Sequence, residues 1–140
     1  SIVKACTEFQ KTNTGAIIVI TQTDDLSFIC ENAVQIDSKI SYPLLESIFY
    51  KNSPLHDGAI VIRNNRIIAA RCILPVTNDD DFPGELGMRH RAAMGISEHS
   101  DALTIIVSEQ NGKISYTQNG KIKVGVSEKQ ISNLLNKLLS

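Results

Sequence analysis

The sequence predicts an α/β fold, a single domain whose central, mixed, twisted sheet of about seven strands is flanked by helices. Three observations lead there. Gly15–Ile20, Ala59–Arg63 and Leu103–Val107 are continuous, mostly β-branched apolar runs, as in strands covered on both faces. Near the C-terminus, apolar residues recur with helical spacing instead. Asn-Asn and Asn-Gly pairs between short runs mark tight hairpin turns. At 140 residues and 15.4 kDa the chain has room for one real core, so residues 1–140 are read as one domain.

Each element has its own justification. Ile2 to Gln10 is weakly amphipathic and is read as a leading helix, followed by the strand at Gly15–Ile20. After the turn-like Asp24-Asp25, Leu26 to Cys30 is read as a second strand. Ser41 is an N-cap candidate, with Pro43 tolerated in the first turn of a helix whose apolar positions are Leu44, Leu45, Ile48 and Phe49. Ala59–Arg63 and Arg66–Cys72 form a hairpin around Asn64-Asn65.

Pro75 to Gly84, with three consecutive aspartates and two prolines, is a loop. A helix from about Arg91 to Glu98 follows, with Ala92, Ala93, Met94 and Ile96 on its packing faces. After the strand Leu103–Val107, Asn111-Gly112 and Asn119-Gly120 set turns around Lys113–Gln118 and Lys121–Val124. Ser127-x-x-Gln130 is a capping box, and Val126 with Ile131 fits a hydrophobic staple. Ile131, Leu134, Leu135, Leu138 and Leu139 then make the stripe of a final helix.

Composition narrows the function. A net charge of −1 and a pI near 6.3 argue against a nucleic-acid partner bound through a broad basic surface. Phosphate must be met by a few well-placed cations. The three cysteines, Cys6, Cys30 and Cys72, are too far apart for a metal cluster and read as apolar fillers in a reducing compartment. The longest apolar run, Ala16–Ile20, is far too short to cross a membrane, so no direct membrane contact is expected within this segment. A first residue Ser1 rather than Met suggests a domain excised from a longer protein.

Two segments about thirty residues apart read as halves of one phosphate site. The first, Ser53-Pro54-Leu55-His56-Asp57-Gly58-Ala59, leads into a predicted strand. Asp57-Gly58 is either a simple turn or a carboxylate held at the mouth of the sheet as a general base, with Gly58 letting backbone N–H groups approach phosphate. His56 is either an exposed imidazole or a ligand for a divalent ion carried by a triphosphate. The second segment is Gly87-Met88-Arg89-His90-Arg91. Residues two apart point to nearly opposite sides of a helix, so Arg89 and Arg91 face one ligand only from a position before or at its first turn. There the helix N-terminus adds its own positive potential. The alternative is a solvated basic cluster paired with Asp79, Asp80 and Asp81. Ser108-Glu109, at the end of a strand, offers a hydroxyl and a carboxylate at a sheet edge.

Taken together, Asn52–Ala59, Leu74-Pro75, Gly87–Arg91 and Val107-Ser108-Glu109 resemble the diadenylate cyclase domain over nearly the whole chain. The lead-in Ser53-Pro54-Leu55-His56 is most similar to the membrane-anchored type, whose catalytic domain follows transmembrane helices. The resemblance implies condensation of two ATP into cyclic di-AMP at a face-to-face homodimer, assisted by Mg2+, Mn2+ or Co2+. It implies a cytoplasmic domain of a membrane-bound parent and, as a further partner, a membrane-anchored regulator. Asp57 would activate the ribose 3′-hydroxyl, Gly58 and Ala59 would shape the ribose and phosphate contacts, and the Leu74 backbone would read the adenine edge. Arg89, His90 and Arg91 would serve the triphosphate, the two arginines as catalytic residues, and Ser108 would hold its terminal part; Gly87, Met88 and Glu109 would line the substrate site, and His56 would bind metal. Met88 stands where the family commonly has threonine, and Gln110 where the anchored type tends to have a second acid. Those two departures keep a non-catalytic nucleotide sensor as the alternative. A metal-dependent phosphohydrolase around His56-Asp57 is the third reading.

Overall fold

The computed structural model describes residues 1–139. Ser140 and the side chain of Leu139 lie outside the described residues. Helix α1 (Ile2–Thr12) buries Ile2, Ala5, Cys6 and Phe9, a stripe of helical period, and ends at Asn13 in the left-handed region. Strand β1 (Ala16–Ile20) is buried at every position. Then come α2 (Ser27–Cys30), β2 (Val34–Lys39), α3 (Tyr42–Phe49), β3 (Ala59–Arg63) and β4 (Arg66–Cys72). Helix α4 (Met88–His99), β5 (Leu103–Val107), β6 (Ile114–Gln118), β7 (Lys121–Lys123) and α5 (Glu128–Leu139) complete the chain.

The seven strands form one mixed sheet in the order β2-β4-β3-β1-β5-β6-β7, with β1 and β3 parallel and the other pairs antiparallel. Strand alternation divides the core in two. Ile18, Ile20, Ile60, Ile62 and Ile105 pack with α1, α3 and α5 on one face. Ile17, Val19, Val61 and Ala69 pack with α2 and with Ile96 of α4 on the other.

Several local expectations hold at atomic detail. The Ser41 hydroxyl accepts from the Leu44 N–H at 3.2 Å. The Ser127 N–H donates to Gln130 Oε1 at 2.8 Å while the Gln130 N–H donates to Ser127 Oγ at 3.1 Å, which is the reciprocal capping box. Asn64 and Asn65 both have positive φ, as a type I′ hairpin requires.

Two elements differ from the sequence reading. Leu26–Cys30 is not a strand: Ser27–Cys30 is a single helical turn. The carboxylates of Asp24 and Asp25 accept from the N–H groups of Leu26 and Ser27, at 2.9 and 3.0 Å, and bend the backbone there. The sheet's missing member is instead β2, an edge strand with mostly exposed residues and a register shift between Gln35 and Ser38. Helix α4 also begins at Met88, three residues before the expected Arg91, because extended Gly87 serves as its N-cap.

Candidate active site

The sheet's topology brings four strand ends to one edge. β1 and β3 begin there, while β4 and β5 run antiparallel to them and end there. In sheet order that edge presents Cys72–Leu74, Asp57-Gly58, Gly15 and Ser108-Glu109. The N-terminus of α4 arrives over the same edge. The result is a cavity of about 650 Å3 whose wall includes Asp57, Gly58, Leu74, Gly87–His90, Ser108 and Glu109. Its size suits a nucleotide. The two sequence segments therefore share one cleft.

Gly58 is required on two counts. Its φ is +84°, and a Cβ there would stand 2.8 Å from the Cys72 carbonyl oxygen. β4 answers with Arg71 in the left-handed region and a register shift between Ala59 and Val61, a bulge beside the cleft. Asp57 is exposed into the cavity, and its Oδ1 accepts from the Gly58 N–H at 3.2 Å. Ala59 lies behind the wall, buried as the first residue of β3.

The start of α4 supplies cationic potential. Gly87 has no side chain to cap the first turn, so the helix presents backbone N–H groups to the cavity's edge. Arg89 lies within the cavity wall, its Nη1 3.1 Å from Glu109 Oε1. Arg91 goes elsewhere: its guanidinium sits 5.2 Å from the centroid of the Phe82 ring, and it does not line the cavity. Of the two arginines read as facing one ligand, the structure thus puts only Arg89 in this cavity's wall. With the helix beginning at Met88, residues 89 and 91 already diverge. Nor do the acidic residues pair with the basic triplet. Asp79 accepts from the Asp81 N–H within its own turn, and the loop contributes Phe82 instead.

His90 is buried in the cavity wall. Burial first, then the neighbouring Arg89 charge, holds its imidazole below the ordinary value of 6.5. Between the lowered value and 6.5 the unfolded chain binds a proton that the folded one refuses, so stability is fully present above that window and falls as pH drops through it. The urea midpoint is expected to decline between pH 7.5 and pH 5.5, and less steeply in His90→Gln. Equal declines in the two proteins would remove His90 as a cause.

His56 lines a second cavity, of about 770 Å3, on the far side of Arg89 and Glu109, which line both. Its Nδ1 is 2.8 Å from the Ser53 carbonyl oxygen. A carbonyl only accepts, so Nδ1 carries the hydrogen and Nε2 keeps a lone pair for a ligand. Among the described residues no group of three or more His, Cys, Asp or Glu could hold a metal. The single imidazole here would hold an ion only together with oxygen donors supplied by a ligand. Cys72, also in the first cavity's wall, is no nucleophile, since burial pushes its thiol up to about 12.

Sequence reasoning missed Arg71 and Lys113, both in the wall, and Gly15. Arg71 is ordinary in a strand until the bulge beside Gly58 becomes visible, and Lys113 only follows a turn.

The chain is similar to several known proteins. The DAC family model, described as DisA bacterial checkpoint controller nucleotide-binding, matches residues 3–122. Cyclic di-AMP synthase CdaA of Bacillus subtilis is 41% identical over 135 residues, covering 96% of this chain and 50% of that protein. The crystal structure of a double mutant of DacA from Staphylococcus aureus superposes with a TM-score of 0.96 at 41% identity, covering 99% of this chain and 92% of that one. A protein from Bacillus cereus described as hypothetical and membrane spanning matches with a TM-score of 0.86 at 40% identity, over 90% of this chain and 62% of that one. The chain spans about half the length of the curated relatives it matches.

Proposed function

Since this chain belongs to the diadenylate cyclase (DAC) domain family, we propose that it condenses two ATP into cyclic di-AMP and two pyrophosphates. The observation that carries the reading is the shared cavity: the carboxylate of Asp57 and the helix start bearing Arg89 face one nucleotide-sized space. Asp57 takes the proton of a ribose 3′-hydroxyl. The freed oxygen bonds to the α-phosphorus of the other ATP, and that phosphorus releases pyrophosphate with the bonding electrons. Two such transfers close the ring. Catalysis rests on positioning and charge neutralisation rather than a covalent intermediate.

Arg89, the free N–H groups of the first turn of α4 and Ser108 hold the triphosphate. Gly58 and Ala59 shape the wall around the ribose, and the Leu74 backbone reads adenine. His90, neutral at pH 7, adds a donor without a charge, and Arg91 braces the Phe82 loop behind the helix. A divalent ion, Mg2+, Mn2+ or Co2+, would neutralise phosphate charge when bound, and His56 would be its protein ligand.

One protomer holding one ATP has no second α-phosphate to attack, so two protomers must face each other across a two-fold axis. Ile73, 87% exposed, and Met88, 66% exposed, stand at the cavity's rim as apolar contacts for such a partner. Initial rate per protomer is therefore expected to rise with protein concentration in ATP and Mn2+. A constant rate per protomer across a range where sedimentation shows only monomer would contradict the dimeric site. No helix among the described residues is long and apolar enough to cross a membrane. The membrane-spanning relative supports a parent protein anchored at the cell membrane. The family reading adds a cytoplasmic position for this domain and a membrane-anchored regulator as its partner.

The second reading, a sensor that binds nucleotide without turnover, draws on Met88 and Gln110, two cavity residues that supply neither a hydroxyl nor a charge. Incubation with ATP and Mg2+ or Mn2+ followed by product chromatography separates the readings. Cyclic di-AMP supports the cyclase, unchanged ATP the sensor, and ADP or AMP a phosphohydrolase.

A further inference from the structure

We propose that Gly15 is a positioning residue for Arg89: the side chain Gly15 lacks is the space the guanidinium occupies. Gly15 is buried, directly before β1, at the sheet edge between Gly58 and Ser108. A Cβ built there would fall 2.7 Å from Arg89 Nη1 and 2.8 Å from Nε, and closer still to Cζ. Those three guanidinium atoms are its nearest neighbours.

The reason for glycine here is unlike that at Gly58 or Gly112. Both have positive φ, and at each the backbone crowds the added carbon. The backbone of Gly15 lies outside the left-handed region, so alanine is conformationally ordinary there. Its clash is with the far end of a long side chain, which yields without disturbing the sheet. The predicted damage is therefore to Arg89 and not to the fold.

On its other side the guanidinium meets Glu109, with Nη1 to Oε1 at 3.1 Å. The planar group thus has its resting place between a bare Cα and a carboxylate. Because Arg89 and Glu109 line both cavities, that place lies on the partition between the nucleotide cavity and the His56 cavity. A methyl group at residue 15 pushes the guanidinium off this partition, away from where a triphosphate entering along α4 would meet it. Charge-assisted contacts to phosphate depend on that alignment.

The role rests on the reading of Arg89 as a triphosphate ligand, and the test separates the two. Gly15→Ala, Arg89→Ala and the double variant are compared by thermal unfolding and by calorimetric binding of a non-hydrolysable ATP analogue with Mg2+ and of adenosine. Arginine Nε–H resonances are recorded for the wild type and for Gly15→Ala, with Arg89 assigned by its loss in Arg89→Ala. Gly15→Ala is expected to unfold within about 2 °C of wild type. It should bind the triphosphate about tenfold more weakly and adenosine equally well. The double variant should bind no more weakly than Arg89→Ala, and the Arg89 Nε–H resonance should move in Gly15→Ala. An unmoved resonance, additive losses in the double variant, or unfolding of Gly15→Ala that persists without Arg89 would each overturn the assignment. If Arg89→Ala binds the triphosphate as well as wild type does, the proposed role of Arg89 fails, and the resonance alone still decides what Gly15 does.

Discussion

Replacing Asp57 with asparagine is expected to abolish cyclic di-AMP synthesis, lowering the rate at least about a thousandfold, while ATP still binds within a few-fold of wild type. The two effects separate because the groups responsible are separate. Asp57 stands at the start of β3, and its only protein hydrogen bond among the described residues is a weakly placed one to the next N–H, at 3.2 Å. An amide keeps that shape and removes the carboxylate. On the proposed reading, binding rests instead on α4, which brings Arg89 and its free N–H groups to the cavity. Product analysis with saturating ATP and Mn2+, alongside calorimetry with a non-hydrolysable analogue, measures both. Turnover near wild type would remove Asp57 from the chemistry, and a total loss of binding would mean that it holds the nucleotide instead.

A second large effect is expected far from the reacting atoms. A Cβ at Gly95, in the middle of α4, would sit 2.6 Å from the Pro75 carbonyl carbon, closer still to its oxygen, and 3.0 Å from the Thr77 nitrogen. These are backbone atoms, and the segment cannot easily retreat. The Thr77 N–H donates to the Arg91 carbonyl at 3.1 Å, and its hydroxyl donates to Glu98 at 3.0 Å. Gly95→Ala must lift α4 from the Pro75–Thr77 strap, at a cost of about 3 kcal/mol. For a domain of this size that lowers Tm by about 10 °C. Gly84→Ala is the matched control, since nothing lies within 4 Å of its added carbon, and it should leave Tm almost unchanged. An unshifted Tm in Gly95→Ala would refute this close packing. Because α4 carries Arg89 to the cleft, the surviving folded fraction should also bind ATP less tightly.

The contrast between Gly15 and Gly95 shows what the sequence holds and what it conceals. Both are glycines without a turn signal, and only the neighbours that tertiary structure brings reveal why each is needed. β1, β3 and β5 were readable because strands buried on both faces are apolar almost throughout, Thr104 and the terminal Arg63 being the exceptions. β2 was not, because an edge strand with a bulge and exposed residues such as Gln35, Asp37 and Lys39 carries no such constraint. Leu26–Cys30 looks like a strand by composition, and the two aspartates before it decide otherwise by bonding to its backbone.

The site was readable in a similar, partial way. Asp57-Gly58 and Gly87–His90 combine charge with glycine at places where chemistry needs both, and the topology brings them to one edge. The divergence of Arg91 was hidden because Met88-Arg89-His90-Arg91 has no apolar stripe to mark where its helix starts. Its partner, Phe82, comes from a loop that composition alone describes only as acidic and proline-bearing.

The central claim is that the Asp57 and Arg89 segments serve a single nucleotide. Titrating 15N-labelled protein with a non-hydrolysable ATP analogue and Mg2+ tests it most directly. The amide signals of Asp57, Gly58, Met88, Arg89, His90 and Ser108 should move together along one saturation curve. Shifts confined to one of the two segments, or two curves with different midpoints, would mean that the cleft does not hold a nucleotide in the way described.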